Sequence, residues 1–384
     1  MAAGGGLMMS DVKVWRMLLK TMILFALINF ILTPLLMDEI EKVSLYNRVV
    51  PGRLRLPYGE DPSRSYNLSL FSLESAFKSH VVSDPSRTSD AYRVFVFGDS
   101  SLWGTLLRPE ETLVGQLNAL NLKTEKGSPI RFFNLGYPTL SLTKDLLLLE
   151  KGLEYDPDLI VWLVTLESFP HHKQLTSPLV SHNYRALREL ILEYDLDLDP
   201  DHEAFIKPSY WDSTLIGQRR NLADIFRLQV YGIMWGITRI DQHYPERYEP
   251  AQRDLDPDPS FYQWEEGEME TSDLAYSMIK KAGQVAEEVP ILIVNEPILI
   301  SRGANSDIRY NFYYPIWAYE QYRRDMQKLS SRLDWNYVDL WDLVPEEEFT
   351  NSAIHLTPRG ESILAEEVSK GILNLLNSSM PVEE

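Results

Sequence analysis

The chain has 384 residues, 44% of them apolar, a formal charge of −19 and no cysteine. This much apolar material can bury a substantial core, so the chain is not disordered. The acidic balance argues against nucleic acid or an anionic lipid surface as the main partner of the body. The lack of cysteine removes disulfides, thiolate catalysis and thiolate-bound zinc.

In chain order, the first strong signal is the apolar run from Thr21 to Met37, which with Met17, Leu18 and Leu19 approaches the ~20 residues needed to cross hydrocarbon. Lys13, Arg16 and Lys20 precede it, and Asp38, Glu39 and Glu41 follow. The positive-inside rule therefore puts the N-terminus in the cytoplasm and the body outside. No small-residue cleavage signature follows the run, so residues 1–37 read as a cytoplasmic tip and an uncleaved single-pass anchor in the cell membrane. Residues 38–89, with Pro51, Pro57, Pro62 and Pro85 among short apolar pieces, read as a juxtamembrane spacer.

From residue 90 the pattern changes to short apolar runs bounded by turn residues, at Arg93–Phe97, Arg131–Leu135, Leu159–Val164, Ile291–Val294 and Tyr337–Leu340. Helical spacing fills Glu110–Leu122, Leu142–Leu153 and Ala318–Leu333 between them. Strands apolar on both faces and separated by helices predict an α/β fold: a five-stranded parallel sheet covered on both sides. A last helix opens at Thr357 as N-cap, with Pro358 at its first position. The domain spans 90–376, and 377–384 form a tail. The third and fourth strands are too far apart for an ordinary crossover, which predicts a mainly helical insertion at about 175–285. Within it, Leu215–Asp241 reads as a helix that is buried, serves as a lid or touches the bilayer, and Tyr244–Glu270 reads as an exposed loop.

In an open parallel sheet, ligands gather beyond the carboxyl ends of the strands. There the first strand runs into Gly98-Asp99-Ser100. A serine hydroxyl at the start of a helix has backbone N–H groups and the helix dipole beside it, and it needs an imidazole to take its proton. The stretch Gly98-Asp99-Ser100-Ser101-Leu102-Trp103-Gly104 resembles the first block of SGNH (GDSL-type) hydrolases. Asn134-Leu135-Gly136 is similar to the second block, and His355-Leu356-Thr357-Pro358 to the last.

The resemblance implies a flavodoxin-like three-layer α/β/α sandwich and metal-free, cofactor-free cleavage or transfer of acyl esters. It implies Ser100 as nucleophile, His355 as base, and the Ser100 and Gly136 N–H groups as oxyanion donors. Two blocks depart from the pattern. Leu166 stands where an oxyanion asparagine is usual, which leaves Thr165 or Asn295 as substitutes. Ser352, preceded by Asn351, stands where an aspartate usually orients the histidine. Asn351 can take that role less strongly than a carboxylate, and Glu296, Glu167 and Asp342 are acids on neighbouring loops. Asp99 is a further supporting candidate. Adjacent His171 and His172 have no partner at a metal-ligand spacing.

These readings predict a membrane-anchored extracytoplasmic serine esterase or O-acyltransferase. Anchoring and family habit extend the substrate to acyl esters of envelope glycans, acetyl groups among them. The two departures leave open a catalytically silent domain that binds glycan or a partner in envelope assembly. No G-x-G-x-x-G or phosphate-loop motif follows the first strand, which disfavours a nucleotide-binding flavodoxin-like protein.

Overall fold

The computed structural model describes residues 5–61, 68–84, 90–238 and 242–378. Five parallel strands, β1 (Tyr92–Phe97), β2 (Ile130–Asn134), β3 (Leu159–Val164), β4 (Ile291–Asn295) and β5 (Asn336–Asp339), form one sheet in the order β2-β1-β3-β4-β5. In chain order the described α-helices are α1 (Gly5–Leu27), α2 (Thr33–Glu41), α3 (Tyr46–Val49), α4 (Leu73–Ser79), α5 (Ser100–Trp103), α6 (Leu113–Ala119) and α7 (Leu142–Leu153). They continue with α8 (Pro178–His182), α9 (Tyr184–Tyr194), α10 (Leu215–Thr238), α11 (Tyr276–Val285), α12 (Ile316–Leu333) and α13 (Pro358–Ser378).

The strands form where β-branched and aromatic residues alternate between two buried faces. Val94, Val96, Phe132, Val161, Leu163 and Val294 point to a layer made by α6 and α13, where Leu117, Leu364 and Val368 meet them. Phe95, Phe97, Phe133, Trp162, Val164 and Ile293 point the other way, to α7, α11 and α12. The protein is thus the three-layer α/β/α sandwich predicted from its sequence. Its strand order reverses between β1 and β3, the switch point beyond whose carboxyl ends open α/β sheets gather their ligands.

Helix ends follow the signals in the sequence. The Thr112 hydroxyl accepts from Gly115 N at 3.2 Å to start α6, and the Thr357 hydroxyl accepts from Gly360 N at 3.2 Å to start α13. α6 is shorter than its periodicity suggests because Pro109–Glu111 form a turn closed by Glu111 N donating to Arg108 O.

Three segments differ from expectation. Residues 38–89, read as a spacer, put Leu56, Leu73, Phe77 and Val82 into the main core, so the described part of this stretch is packed against the body. The 244–270 stretch is not simply exposed. Phe261, Trp264 and Met269 are buried, and the Arg309 guanidinium holds the Asp258 and Ser260 carbonyls at 2.6 and 3.0 Å. Its Pro and acidic residues are the solvent side of a strap from which Phe261 and Trp264 face inward. α11 covers the sheet beside α7, so the excursion from the sandwich ends before Tyr276. At the other end of the chain, among the described residues, one apolar helical stretch, Lys13–Val49, is long enough to cross a membrane and is mostly exposed.

Candidate active site

The β1 run ends at Phe97, and the chain then turns sharply under tight packing. A Cβ on Gly98 would lie 3.2 Å from Leu102 and 3.3 Å from Leu163. Asp99 caps the short helix α5, its Oδ1 accepting from Ser101 N at 2.8 Å. Ser100 is therefore the first helical residue, and among the described residues its N–H makes no hydrogen bond. Its carbonyl is held by Gly104 N at 3.2 Å and by the Thr105 hydroxyl at 3.2 Å.

His355 arrives from the far end of the domain. Phe349 and Leu356 pair in antiparallel fashion, and Thr350 N donates to His355 O at 2.8 Å, which closes the loop that presents the ring. His355 Nε2 lies 2.8 Å from Ser100 Oγ, across 255 positions of sequence. On the other side of the ring, Nδ1 lies 3.0 Å from Asn351 Oδ1. An amide oxygen only accepts, so Nδ1 carries the ring proton and Nε2 is the bare nitrogen that accepts from Ser100. Burial without a neighbouring acid pushes the imidazole down to about 4.

The other predicted residues fall in different places. Asn295 is buried in the sheet, where its amide donates to Asp339 at 2.8 Å and accepts from Tyr322 at 3.1 Å, so it belongs to the layer beneath β4. The Thr165 hydroxyl is 3.1 Å from the Tyr314 phenol and fully buried. The Gly136 N–H donates to Asn134 Oδ1 at 3.1 Å, while Asn134 Nδ2 donates to Leu102 O at 2.8 Å. Asn134 thus ties the second-strand loop to α5 and occupies the donor expected to face an oxyanion. A Cβ on Gly136 would lie 2.7 Å from Trp103 N, so this glycine is needed for close approach of the two loops. Beyond it the loop passes through Pro138 to Thr139, which is partly exposed and whose N–H makes no hydrogen bond among the described residues. Leu166 is fully buried.

Of the acids, Glu167 is held by Lys173 and Tyr262 and Asp342 is exposed, so neither is hydrogen-bonded to His355. Ser352 is buried against Tyr313. His172 packs edge-on against Tyr262, with ring centres 4.6 Å apart.

Beneath Ser100 lies a layer of buried charge in which Asp99 and Glu296, candidates from the sequence, are joined by Lys144, Asp145 and Glu361, which sequence reasoning does not single out. The Lys144 ammonium, with no exposed surface, donates to Gly98 O at 2.7 Å and to Asp145. The Ser101 hydroxyl donates to Glu296 Oε2, while the second oxygen of Glu296 is buried with no partner. Burial pushes Glu296 well above its usual range, helped by the nearby Asp99 carboxylate. Burial likewise raises Asp99, against the pull of Lys144. Asp145 is raised to about 6 and Glu361, beside the Glu296 pocket, to about 8, both by burial. The available signal was Lys144-Asp145 in an otherwise leucine-rich helix.

No family model and no curated protein matches the sequence. Similar solved structures include Est24, a carbohydrate acetylesterase from Sinorhizobium meliloti. It is 12% identical, over 74% of this chain and 99% of that chain, with a TM-score of 0.34. A member of the lipolytic G-D-S-L family from Veillonella parvula is 11% identical, over 73% and 97%, with a TM-score of 0.34. The M. smegmatis aryl esterase is 13% identical, over 74% and 100%, with a TM-score of 0.35. At these values the likeness carries no argument about chemistry, which rests on the atoms described above.

Two stability measurements test the buried layer. Lys144→Ala leaves Asp145 uncompensated and is expected to cost about 3–5 kcal/mol in urea unfolding. Glu361 is raised in the folded state, so its contribution is complete below its ordinary value of 4.5 and is lost as pH rises towards about 8. Glu361→Gln is therefore expected to raise Tm at pH 8 and to flatten its fall between pH 5 and pH 8.

Proposed function

We propose that this protein is a membrane-anchored serine esterase or O-acyltransferase whose body lies outside the cytoplasm. Its substrates are acyl esters, with acetylated envelope glycans as the favoured class. One observation carries the reading: Ser100 Oγ stands 2.8 Å from His355 Nε2, and Asn351 Oδ1 stands 3.0 Å from Nδ1. Nucleophile, base and orienting group form one chain of hydrogen bonds with the proton on the correct nitrogen.

In the proposed reaction Ser100 Oγ attacks the acyl carbonyl carbon as its proton passes to His355 Nε2. Collapse of the tetrahedral intermediate breaks the ester bond, and Nε2 returns the proton to the leaving alcohol oxygen. Water or a sugar hydroxyl, deprotonated by the same nitrogen, then releases the acyl group from Ser100. The Ser100 N–H is the donor left for the oxyanion, and the Gly136 N–H joins it only if Asn134 releases it.

A neutral amide in place of a carboxylate fixes the tautomer but stabilises the imidazolium less. The geometry thus supports a slow enzyme. The alternative, a silent domain that binds glycan or a partner, is favoured by the engagement of Gly136 and the buried Leu166. The N-terminal helix, cationic before the apolar run and acidic after it, supports the anchored, outward-facing orientation.

The two readings separate with a fluorophosphonate probe and p-nitrophenyl acetate. Catalysis requires covalent labelling of Ser100 and turnover that Ser100→Ala abolishes; absence of both would sink the serine mechanism. Asn351→Asp is expected to raise kcat/KM by about tenfold or more, since a carboxylate stabilises the imidazolium. The wild-type acid limb is expected near pH 4, where His355 takes up its proton, and Asn351→Asp is expected to move it upward.

A further inference from the structure

The tip of the insertion meets the N-terminal helix within its apolar run. The Tyr210 hydroxyl donates to Phe30 O at 2.5 Å, and the Trp211 ring stands edge-on to Phe30 with centres 5.7 Å apart. Asn29, a polar residue in the middle of that run, is 1% exposed and accepts from Ile216 N at 3.0 Å, which satisfies one of the free N–H groups at the start of α10. Further along, Gln229 exchanges hydrogen bonds with Val43 O at 3.0 Å and Leu45 N at 2.7 Å. α10 therefore runs beside the N-terminal helix from Asn29 to Leu45, in the same direction.

Phe30 lies seven residues before Met37, the end of the apolar run, which at the rise of a helix is roughly 10 Å. If the run crosses a bilayer, the tip docked on Phe30 is carried at most that far below its outer boundary, less as the helix tilts, which is within the reach of an interfacial segment. The side chains it presents suit that level. Tyr210, Trp211 and Ile216 are 59%, 67% and 54% exposed. Trp and Tyr gather where headgroups meet acyl chains, with the ring in the apolar part and the polar atom satisfied. Asp212 on the same tip has its carboxylate held by Ser209 N at 2.8 Å and the Ser209 hydroxyl at 2.7 Å, and it limits the depth to this boundary.

We infer that the insertion tip, Tyr210–Ile216, is a second membrane contact: a wedge seated in the headgroup–acyl boundary of the outer leaflet, locked to the anchor through Asn29 and Phe30. This inference rests on the anchored reading. The anchor already continues into a segment packed against the body, and the wedge adds a second contact that holds the body in one orientation above the lipid. The site at Ser100 then has a set height and direction, which suits an ester substrate carried at or near the membrane surface.

The absence of cysteine permits a direct test in the full-length protein. Trp211→Cys, Ile216→Cys, Ile23→Cys and Ser331→Cys, each labelled with an environment-sensitive nitrobenzoxadiazole dye, are reconstituted in phosphatidylcholine vesicles containing phosphatidylglycerol. Wild-type ester turnover or circular dichroism controls for folding. The expected result is a blue shift at Trp211→Cys and Ile216→Cys, with fluorescence lost to lipids carrying a shallow nitroxide and kept in aqueous iodide. Ile23→Cys loses fluorescence to deep nitroxides, and Ser331→Cys loses it to iodide alone. Iodide quenching at both tip positions, with Ile23→Cys still quenched by lipid, overturns the wedge and leaves the anchor. Protection from iodide without lipid quenching, the signature of a second protein on the tip, also overturns it. Failure of lipid to quench Ile23→Cys overturns the anchor and the wedge together.

Discussion

The imidazole of His355 has two nitrogens, and both are claimed: one by the Asn351 amide oxygen, the other by the Ser100 hydroxyl. This short relay joins the first turn after β1 to the loop before α13, and the rest of the site is arranged to make the meeting possible. Gly98 and Gly136 let backbones approach where a Cβ would crowd its neighbours, and the Phe349–Leu356 pairing with the Thr350–His355 hydrogen bond sets the height of the ring. An amide fixes the tautomer as a carboxylate would, but it brings no charge. The ring is left free to accept a proton from serine and poorly equipped to keep it.

Beneath the relay the protein concentrates acids in a dry layer. Asp99, Asp145, Glu296 and Glu361 are all buried, and Lys144 is the cation in contact with Asp145. Keeping some of these carboxyls protonated avoids several unpaired buried charges, and a protonated Glu296 still accepts the Ser101 hydroxyl bond. The same layer anchors α5, since Asp99 caps it, Ser101 ties it to Glu296, and Lys144 holds the Gly98 carbonyl just before it. The rigidity of the nucleophile turn and the pH response of the fold therefore share one physical origin.

The sheet was legible because its strands carry continuous apolar runs, a pattern that burial on both faces imposes. The meeting of Ser100 with His355 was legible only through motif order, because no local property joins residues so far apart. Other features depended on three-dimensional partners. Nothing about Asn134 in the sequence signals that its amide takes the Gly136 N–H, and Asn295 looks available until Asp339 and Tyr322 are seen to hold it. The 38–89 stretch reads as a spacer because its apolar residues are scattered; Leu56 and Phe77 reach the core one at a time instead of along a periodic face. Asn29 within an apolar run is the sequence feature that points to the docked insertion, since a polar residue in such a place needs a partner.

The central claim is a neutral His355 that keeps its proton on Nδ1 and offers Nε2 to Ser100. Long-range nitrogen–proton correlation spectra of the labelled protein report both the tautomer and the titration of each ring. At pH 7 His355 is expected as the Nδ1-protonated tautomer, with protonation only near pH 4. A His355 protonated on Nε2, or one titrating near 6.5 like an exposed imidazole, would contradict it.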